Sequence, residues 1–194
     1  MAKPLIGILA LQGDVEKHRA ALERAGAAVR EVRAPADLEG LDGIVMPGGE
    51  STTMSRLLRT GGLFDPLRAF LREKPVLATC AGLILLAKDV DLLPYETFGL
   101  LDVAAHRNAW GRQVWSFQEE IAWPHSVNGD RSPFKAIFIR APRILRVGEG
   151  VEVLAECHGE PVAVRQGNLV ALAFHPELTG DDRIQRWWLA GIGR

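Results

Sequence analysis

Hydrophobic positions in the first half of the chain form short continuous runs that alternate with segments of helical periodicity. The runs predict strands that are buried on both faces, and the periodic segments predict amphipathic helices. Strands are predicted at residues 5–11, 28–33, 43–46 and 75–78, and helices at residues 14–25, 51–59, 63–73 and 81–88. Gly26 is expected to end the first helix, and Ser51 or Thr52 to cap the second. This alternation indicates a parallel sheet with helices on both faces.

Strands dominate the pattern in the second half of the chain. They are predicted at residues 100–105, 114–121, 135–140, 151–157, 162–166 and 169–174, followed by a closing helix at residues 183–190. Residues 123–133 are rich in Gly, Pro, Asn and Ser, which predicts an exposed loop. Because no repeat, low-complexity segment or long linker interrupts the pattern, residues 1–194 are predicted to form one α/β domain with extra strands.

Composition and charge narrow the class of protein. The chain has 194 residues and a net charge of −1, which gives no basic field for binding nucleic acid. No apolar run reaches the ~18 residues of a membrane span. Two cysteines do not make a disulfide framework, so we expect a cytoplasmic protein. Neither cysteine has a histidine paired with it at ligand spacing, so no metal site is expected.

Cys80 is the first candidate for chemistry. It lies between a predicted strand and a predicted helix, and the small residues Ala78, Ala81 and Gly82 would permit the tight turn of a nucleophile elbow. A helix N-terminus favours a thiolate, and the Ala81 N–H would point at an oxyanion on an attacked carbonyl. The alternative is an inert buried cysteine, because free cysteines are often buried.

His175 is the best-placed base for that nucleophile. It follows a predicted strand and precedes Pro176 and Glu177. Sites in parallel sheets form at the carboxyl ends of strands, where Cys80 would also lie. Pro176 favours an extended His175, so that Glu177, two residues on, would point to the same side and orient the imidazole. Read alone, however, the same tripeptide fits a surface turn equally well.

The other four histidines and the second cysteine are interpreted as structural. His18 fits a helix face, His106 and His158 fit strands or their ends, and His125 falls in the predicted loop. Cys157 is adjacent to His158, but neighbouring residues of a strand point to opposite faces, which argues against a catalytic pair.

Three motifs together resemble those of class I, triad-type glutamine amidotransferases. They are PGGESTT at residues 47–53, TCAG at 79–82 and FHPELT at 174–179. More narrowly, the chain resembles the glutaminase subunits of pyridoxal 5′-phosphate synthase, and the segments that fit are IGILALQG at 6–13, RN at 107–108, GRQ at 111–113 and FIRAP at 138–142. One position departs from the family pattern, because the elbow usually opens with glycine and here opens with Ala78.

The resemblance implies a fold and a reaction. The fold would be a flavodoxin-like, three-layer, mostly parallel sheet flanked by helices, with extra antiparallel strands. The reaction would be hydrolysis of L-glutamine to glutamate and ammonia. Cys80 would attack the side-chain amide carbon and form a thioester. His175 would protonate the leaving ammonia and then activate water, while Glu177 orients His175.

The resemblance also assigns binding residues. The oxyanion hole would consist of backbone N–H groups at Gly48, Gly49 and Ala81. Glycines suit such a loop because its backbone must approach the substrate closely. Glutamine would be bound by Gly49, Glu50, Ser51, Arg107, Ile139 and Arg140. A cation such as Arg107 suits the α-carboxylate of a free amino acid.

The implied partner is a (β/α)₈-barrel synthase subunit that receives the ammonia within a hetero-oligomer and on which the glutaminase activity depends. Pyridoxal 5′-phosphate would be the product of the complex, and no cofactor is expected on this chain. Three alternatives remain: a glutaminase of another pathway such as imidazole or purine synthesis, a cysteine peptidase or esterase-like hydrolase, and a binding module with Cys80 as a redox sensor or core residue. Release of ammonia from free glutamine would separate the glutaminases from the last two.

Overall fold

The computed structural model describes residues 3–91, 94–107, 116–125 and 129–192. The helices in these ranges are α1 (Val15–Ala25), α2 (Ser51–Thr60), α3 (Phe64–Glu73), α4 (Ala81–Leu86) and α5 (Arg183–Ala190). Short 3-10 helices occur at Pro35–Leu38 and Pro176–Leu178. None of these described helices is long and apolar enough to cross a membrane.

The strands belong to one large and two small sheets. In chain order they are β1 (Leu5–Leu9), β2 (Ala28–Val32), β3 (Gly43–Met46), β4 (Val76–Thr79), β5 (Ala87–Val90), β6 (Leu101–His106), β7 (Ser116–Ile121), β8 (Phe134–Ile139), β9 (Arg143–Val147), β10 (Glu152–Cys157), β11 (Glu160–Gln166) and β12 (Leu169–Leu172). The large sheet has the order β10-β11-β12-β4-β3-β1-β2. Its strands from β12 to β2 are parallel, whereas β10 and β11 add an antiparallel edge.

Helices cover both faces of the large sheet, which explains the continuous apolar runs. On β3, Ile44 and Met46 pack into one core cluster with α2, α3 and α4, while Val45 packs into a second cluster with α1 and α5. Successive strand residues point to opposite faces, so a sheet covered on both sides needs apolar residues at every position. The predicted three-layer, mostly parallel α/β architecture with added antiparallel strands is confirmed.

In the two small sheets, strands β6 and β8 are buried on one face only. Strand β6 pairs with β5 and β9, and β7 and β8 form an antiparallel pair. In β6 and β8 every second residue is buried. Of the predicted strand at residues 114–121, the first two positions lie outside the described residues, and so do motif positions 108 and 111–113.

The structure corrects several predicted boundaries. Helix α4 ends at Leu86 instead of residue 88, because residues 87–90 pair with β6 as β5, a strand that the sequence did not predict. Strand β9 was also not predicted. Strands β1 and β12 each end two residues before the predicted position. Beyond the end of β12, the backbone N–H of His175 donates to the carbonyl oxygen of Ile137 on β8. The cap of α2 is Glu50, whose carboxylate accepts the N–H groups of Thr52 and Thr53.

The predicted loop at residues 123–133 is only partly exposed. Residues 129–133 are exposed and residues 126–128 lie outside the described part, but Trp123 is buried. Its indole lies edge-on to Trp187, on which the His125 ring stacks with 4.5 Å between centroids. Aromatic packing against α5 therefore holds the start of this segment on the core.

Candidate active site

The site lies at the carboxyl ends of β3, β4 and β12, which are neighbours in the large sheet. A cavity of about 290 Å³ opens there. All the site residues predicted from the sequence line this cavity except Ala81, which is fully buried behind it: Gly48, Gly49, Glu50, Ser51, Cys80, Arg107, Ile139, Arg140, His175 and Glu177. Residues from distant parts of the chain thus share one volume that suits a small molecule.

Cys80 sits on a strained turn between β4 and α4. Its φ of 48° is unusual for a residue with a side chain, and strain of this kind is typical of functional turns. Its backbone N–H donates to Leu172 on β12 at 2.8 Å. Gly82 permits the turn, because a Cβ there would lie 2.4 Å from the Met46 carbonyl oxygen. Ala78, the departure from the family pattern, is fully buried opposite Met46 and Ala171.

The Cys80 side chain has two polar neighbours. Its Sγ lies 3.8 Å from the carbonyl oxygen of Ile139, and the thiol is close enough to the imidazole of His175 to help raise the pKa of that histidine. The residue is 7% exposed, so it reaches the cavity and little else. A sulfur held beside a basic ring at the wall of a cavity has the setting of a nucleophile.

His175 and Glu177 form a buried hydrogen-bonded pair. Nδ1 of His175 lies 2.7 Å from Oε1 of Glu177. Burial alone would lower the pKa of His175, but its bonds to Cys80 and Glu177 outweigh burial and raise that pKa to about 10. The imidazolium is therefore the favoured form. The predicted extended geometry was wrong, because residues 176–178 form a 3-10 helix, but Glu177 still turns back to the ring.

His18 is the residue whose role the sequence did not reveal. It is 2% exposed, and its Nε2 lies 3.3 Å from Oε1 of Glu177 and 3.4 Å from Oγ1 of Thr79. The signal available in the sequence was its position, since it shares the buried face of α1 with Ala21 and Leu22. A polar residue on such a face needs a buried partner.

The two histidines control the charge of Glu177. Burial of this carboxyl disfavours its charged form, but His18 and His175 outweigh burial and lower the pKa of Glu177 to about 2. The residue is 3% exposed. The carboxylate is therefore ionised over the whole physiological range, and it acts on His175 from a buried position.

At Gly48 the Gly48–Gly49 loop packs against Cys80 and His175 without room for a side chain. A Cβ on Gly48 would lie 2.4 Å from Cε1 of His175 and 3.4 Å from Cβ of Cys80. Gly13, with a φ of 97°, lies directly against the loop, and a Cβ there would be 2.0 Å from the Gly48 carbonyl oxygen. Oε1 of Gln12 accepts the N–H of Glu50 at 3.0 Å and anchors the loop's far end.

The predicted glutamine-binding residues include an ion pair. Nη2 of Arg107 lies 3.1 Å from Oε1 of Glu50, the carboxylate that caps α2. Burial opposes ionisation of Glu50, but hydrogen bonds from Thr53 and Thr52 lower its pKa to about 2. Glu50 thus holds the guanidinium at the cavity wall. On the facing wall, β8 ends at Ile139, which is 37% exposed, and Arg140 follows with a φ of 42°.

Cys157 and His158 differ in burial, and His158 lies in the turn after β10 instead of on the predicted strand. Cys157 is 3% exposed at the end of β10, and burial raises the pKa of its thiol. The side chain of His158 is 65% exposed and its Nε2 lies 3.7 Å from Glu119. Neither residue lines the cavity.

Comparisons with known proteins agree over almost the whole chain. Residues 8–193 match the model of the SNO glutamine amidotransferase family. A Mycolicibacterium vanbaalenii protein named pyridoxal 5′-phosphate synthase subunit PdxT is 49% identical over 201 residues, covering 99% of this chain and 100% of that protein. A protein of the same name from Parafrankia sp. (strain EAN1pec) is 54% identical over 190 residues, covering 96% and 92% of the two chains.

A solved structure gives the same result. It is described as the crystal structure of a glutamine amidotransferase, and it aligns with a TM-score of 0.89 at 46% identity, covering 97% of this chain and 99% of that one. The family match, the relatives and this structure all extend across nearly the full sequence. The chain therefore belongs to the SNO glutamine amidotransferase family.

Proposed function

We propose that the chain hydrolyses L-glutamine to L-glutamate and ammonia through a thioester on Cys80. The observation that carries this proposal is the chain of contacts from the Cys80 thiol to His175 and on to Glu177, at the wall of a small cavity. A nucleophile, a base and a carboxylate that orients the base are the three parts that acyl transfer requires. The membership in a family of glutamine amidotransferases supports the same substrate.

In the first half of the reaction, the Cys80 thiolate forms a bond to the side-chain amide carbon of glutamine. The imidazolium of His175 then gives its proton to the amide nitrogen as the carbon–nitrogen bond breaks, and ammonia leaves. The oxyanion of the tetrahedral intermediate would accept hydrogen bonds from backbone N–H groups of the Gly48–Gly49 loop and of Ala81.

In the second half, neutral His175 takes a proton from water as the water oxygen attacks the thioester. The carbon–sulfur bond breaks, glutamate leaves, and the thiolate–imidazolium pair returns. Glu177 keeps its negative charge through both halves, because its pKa is about 2. It stabilises the imidazolium without taking a proton itself.

Glutamine binding is assigned to Gly49, Glu50, Ser51, Arg107, Ile139 and Arg140, all on the cavity wall. The guanidinium of Arg107 would bind the α-carboxylate with the N–H groups that Glu50 leaves unused. Glu50 would act mainly by orienting Arg107. A cavity of about 290 Å³ is at the lower end of small-molecule sites, which suits a free amino acid.

We further propose that the ammonia passes to the (β/α)₈-barrel synthase subunit of a pyridoxal 5′-phosphate synthase. Relatives that match this chain from end to end carry the name of a subunit of that enzyme. Ammonia in neutral water is mostly ammonium, which is not nucleophilic, so transfer inside a complex preserves its reactivity.

Two buried free cysteines fit a cytoplasmic location, and one large sheet shared by both core clusters fits a single domain over residues 1–194.

The test is release of ammonia from L-glutamine by the wild type and by Cys80→Ala, each with and without the synthase subunit. We expect release by the wild type, stimulated by the synthase, and none by folded Cys80→Ala. Peptide and ester substrates serve as controls for the hydrolase alternatives. Equal ammonia release by wild type and variant would contradict the triad, and cleavage of peptides or esters without ammonia release would favour the other hydrolases.

A further inference from the structure

His18 belongs to the buried polar network around the triad, although it comes from the first helix of the chain. Its Nε2 lies 3.3 Å from the same Glu177 oxygen, Oε1, that lies 2.7 Å from Nδ1 of His175. The side chains of His18 and Glu177 are 3% and 2% exposed. Two histidines therefore converge on one carboxylate oxygen of a nearly fully buried residue.

The charge on Glu177 decides which of the two residues can supply a proton to this contact. An ionised carboxylate has no proton to donate and can only accept. For the 3.3 Å contact with Oε1 to be attractive, Nε2 of His18 must therefore carry a proton. The hydroxyl oxygen of Thr79, 3.4 Å from the same nitrogen, lies on the residue that precedes Cys80, so this contact brings α1 to the base of the elbow.

The carboxylate has little else to fix its orientation. Oε2 of Glu177 is buried and has no hydrogen-bond partner among the described residues. Without His18, the carboxylate would be held through a single bond to His175 and could turn about its own axis. A catalytic group needs supporting contacts that lock its rotamer, because small displacements in a site cost large factors in rate.

We propose that His18 is a positioning residue, which donates its Nε2–H to Oε1 of Glu177 and so fixes the carboxylate that orients His175. The inference rests on the proposed function, since it assigns His18 a role in that reaction. His18 does not line the cavity, so it acts on the rate of the chemical steps and has no part in binding glutamine.

The first experiment compares His18→Leu with His18→Gln in steady-state glutamine hydrolysis with the synthase subunit present. Leucine fills the space without a donor, whereas the glutamine side chain can place an N–H near the position of Nε2. We expect kcat of His18→Leu to fall by about 10- to 100-fold, as for other contacts that orient a reacting group, with KM unchanged. We expect His18→Gln to recover most of kcat.

The matched controls are His158→Leu and His158→Gln. His158 also lies beside a carboxylate, that of Glu119, but on the exposed surface, so both changes should leave kcat and KM as in the wild type. If folded His18→Leu keeps the wild-type kcat, or if His18→Gln loses as much as His18→Leu, the inference is overturned. If the wild type itself releases no ammonia, the proposed function fails instead, and the two failures are thereby distinguished.

A second measurement needs no variant that could fail to fold. Nitrogen-15 NMR of the histidine side chains of the wild type reports which ring nitrogen carries a proton. We expect a protonated Nε2 on His18 and a strongly deshielded Nδ1 proton on His175 from its short bond to Glu177. An unprotonated Nε2 on His18 would overturn the proposal, because the bond to Glu177 could not then exist.

Discussion

The close packing of Gly48 on the imidazole of His175, the proposed base, predicts a large effect of a single methyl group. In Gly48→Ala, the new Cβ would lie 2.4 Å from Cε1 of His175. Carbon atoms prefer about 3.5 Å or more, so the ring or the loop must move by about 1 Å. Misplacement of a catalytic group by that distance costs on the order of 100-fold in rate. We therefore expect kcat for glutamine hydrolysis to fall by about 100-fold.

The assay is ammonia release with the synthase subunit present, together with thermal unfolding of each variant. Gly180→Ala is the matched control, because a Cβ at Gly180 meets nothing within 4 Å and the change should leave kcat and the unfolding temperature unaltered. A Gly48→Ala variant that folds and hydrolyses glutamine at the wild-type rate would refute the reasoning, since the loop would then have room that the structure does not give it.

Three further predictions concern the carboxylate, the cation and the second cysteine. Glu177→Gln should lower kcat by about 10³- to 10⁴-fold, because an amide cannot stabilise the imidazolium, as ammonia release would show. The same change should also make the unfolding free energy less dependent on acid. A carboxyl whose pKa is lowered from 4.5 to about 2 stabilises the fold above pH 4.5, and this stability is lost as the pH falls toward 2. In denaturant titrations the wild type should therefore lose more unfolding free energy than Glu177→Gln across that pH interval. Arg107→Ala should raise KM for glutamine by roughly 10- to 100-fold through loss of a charged hydrogen bond, whereas Arg59→Ala, which removes a surface partner of Glu96, should not; an unchanged KM in Arg107→Ala would remove Arg107 from the binding site. Cys157→Ala should keep full kcat, and a loss without unfolding would contradict the assignment of a purely structural role to Cys157.

The sequence predicted the parallel core well because its signals are local. The apolar run of β3 and the periodic pattern of α5 are observed with the predicted bounds. Each depends on residues a few positions apart, and the short apolar run of β3, followed by Pro47 and two glycines, favours a strand over a helix. The order of strand and helix then determined the fold class, and with it the edge of the sheet where the site had to lie.

The errors occurred where contacts are distant in sequence. The predicted helix ran on to residue 88, and pairing with β6 makes residues 87–90 a strand. The cap of α2 is the exception, because the Glu50 carboxylate accepts hydrogen bonds from the N–H groups of Thr52 and Thr53, two and three positions on. His18 and Glu177 are far apart along the chain, so helical periodicity could place His18 on the buried face without showing what it would meet there.

The most direct test of the central claim is to identify the residue that a chloroketone analogue of glutamine alkylates. The thiolate of the nucleophile would displace chloride and leave a stable thioether, which peptide mass spectrometry locates. The account predicts one label per chain, on Cys80, slowed by L-glutamine, retained in Cys157→Ala and absent from Cys80→Ala. Labelling of Cys157, or ammonia release from glutamine by a folded Cys80→Ala variant, would contradict it.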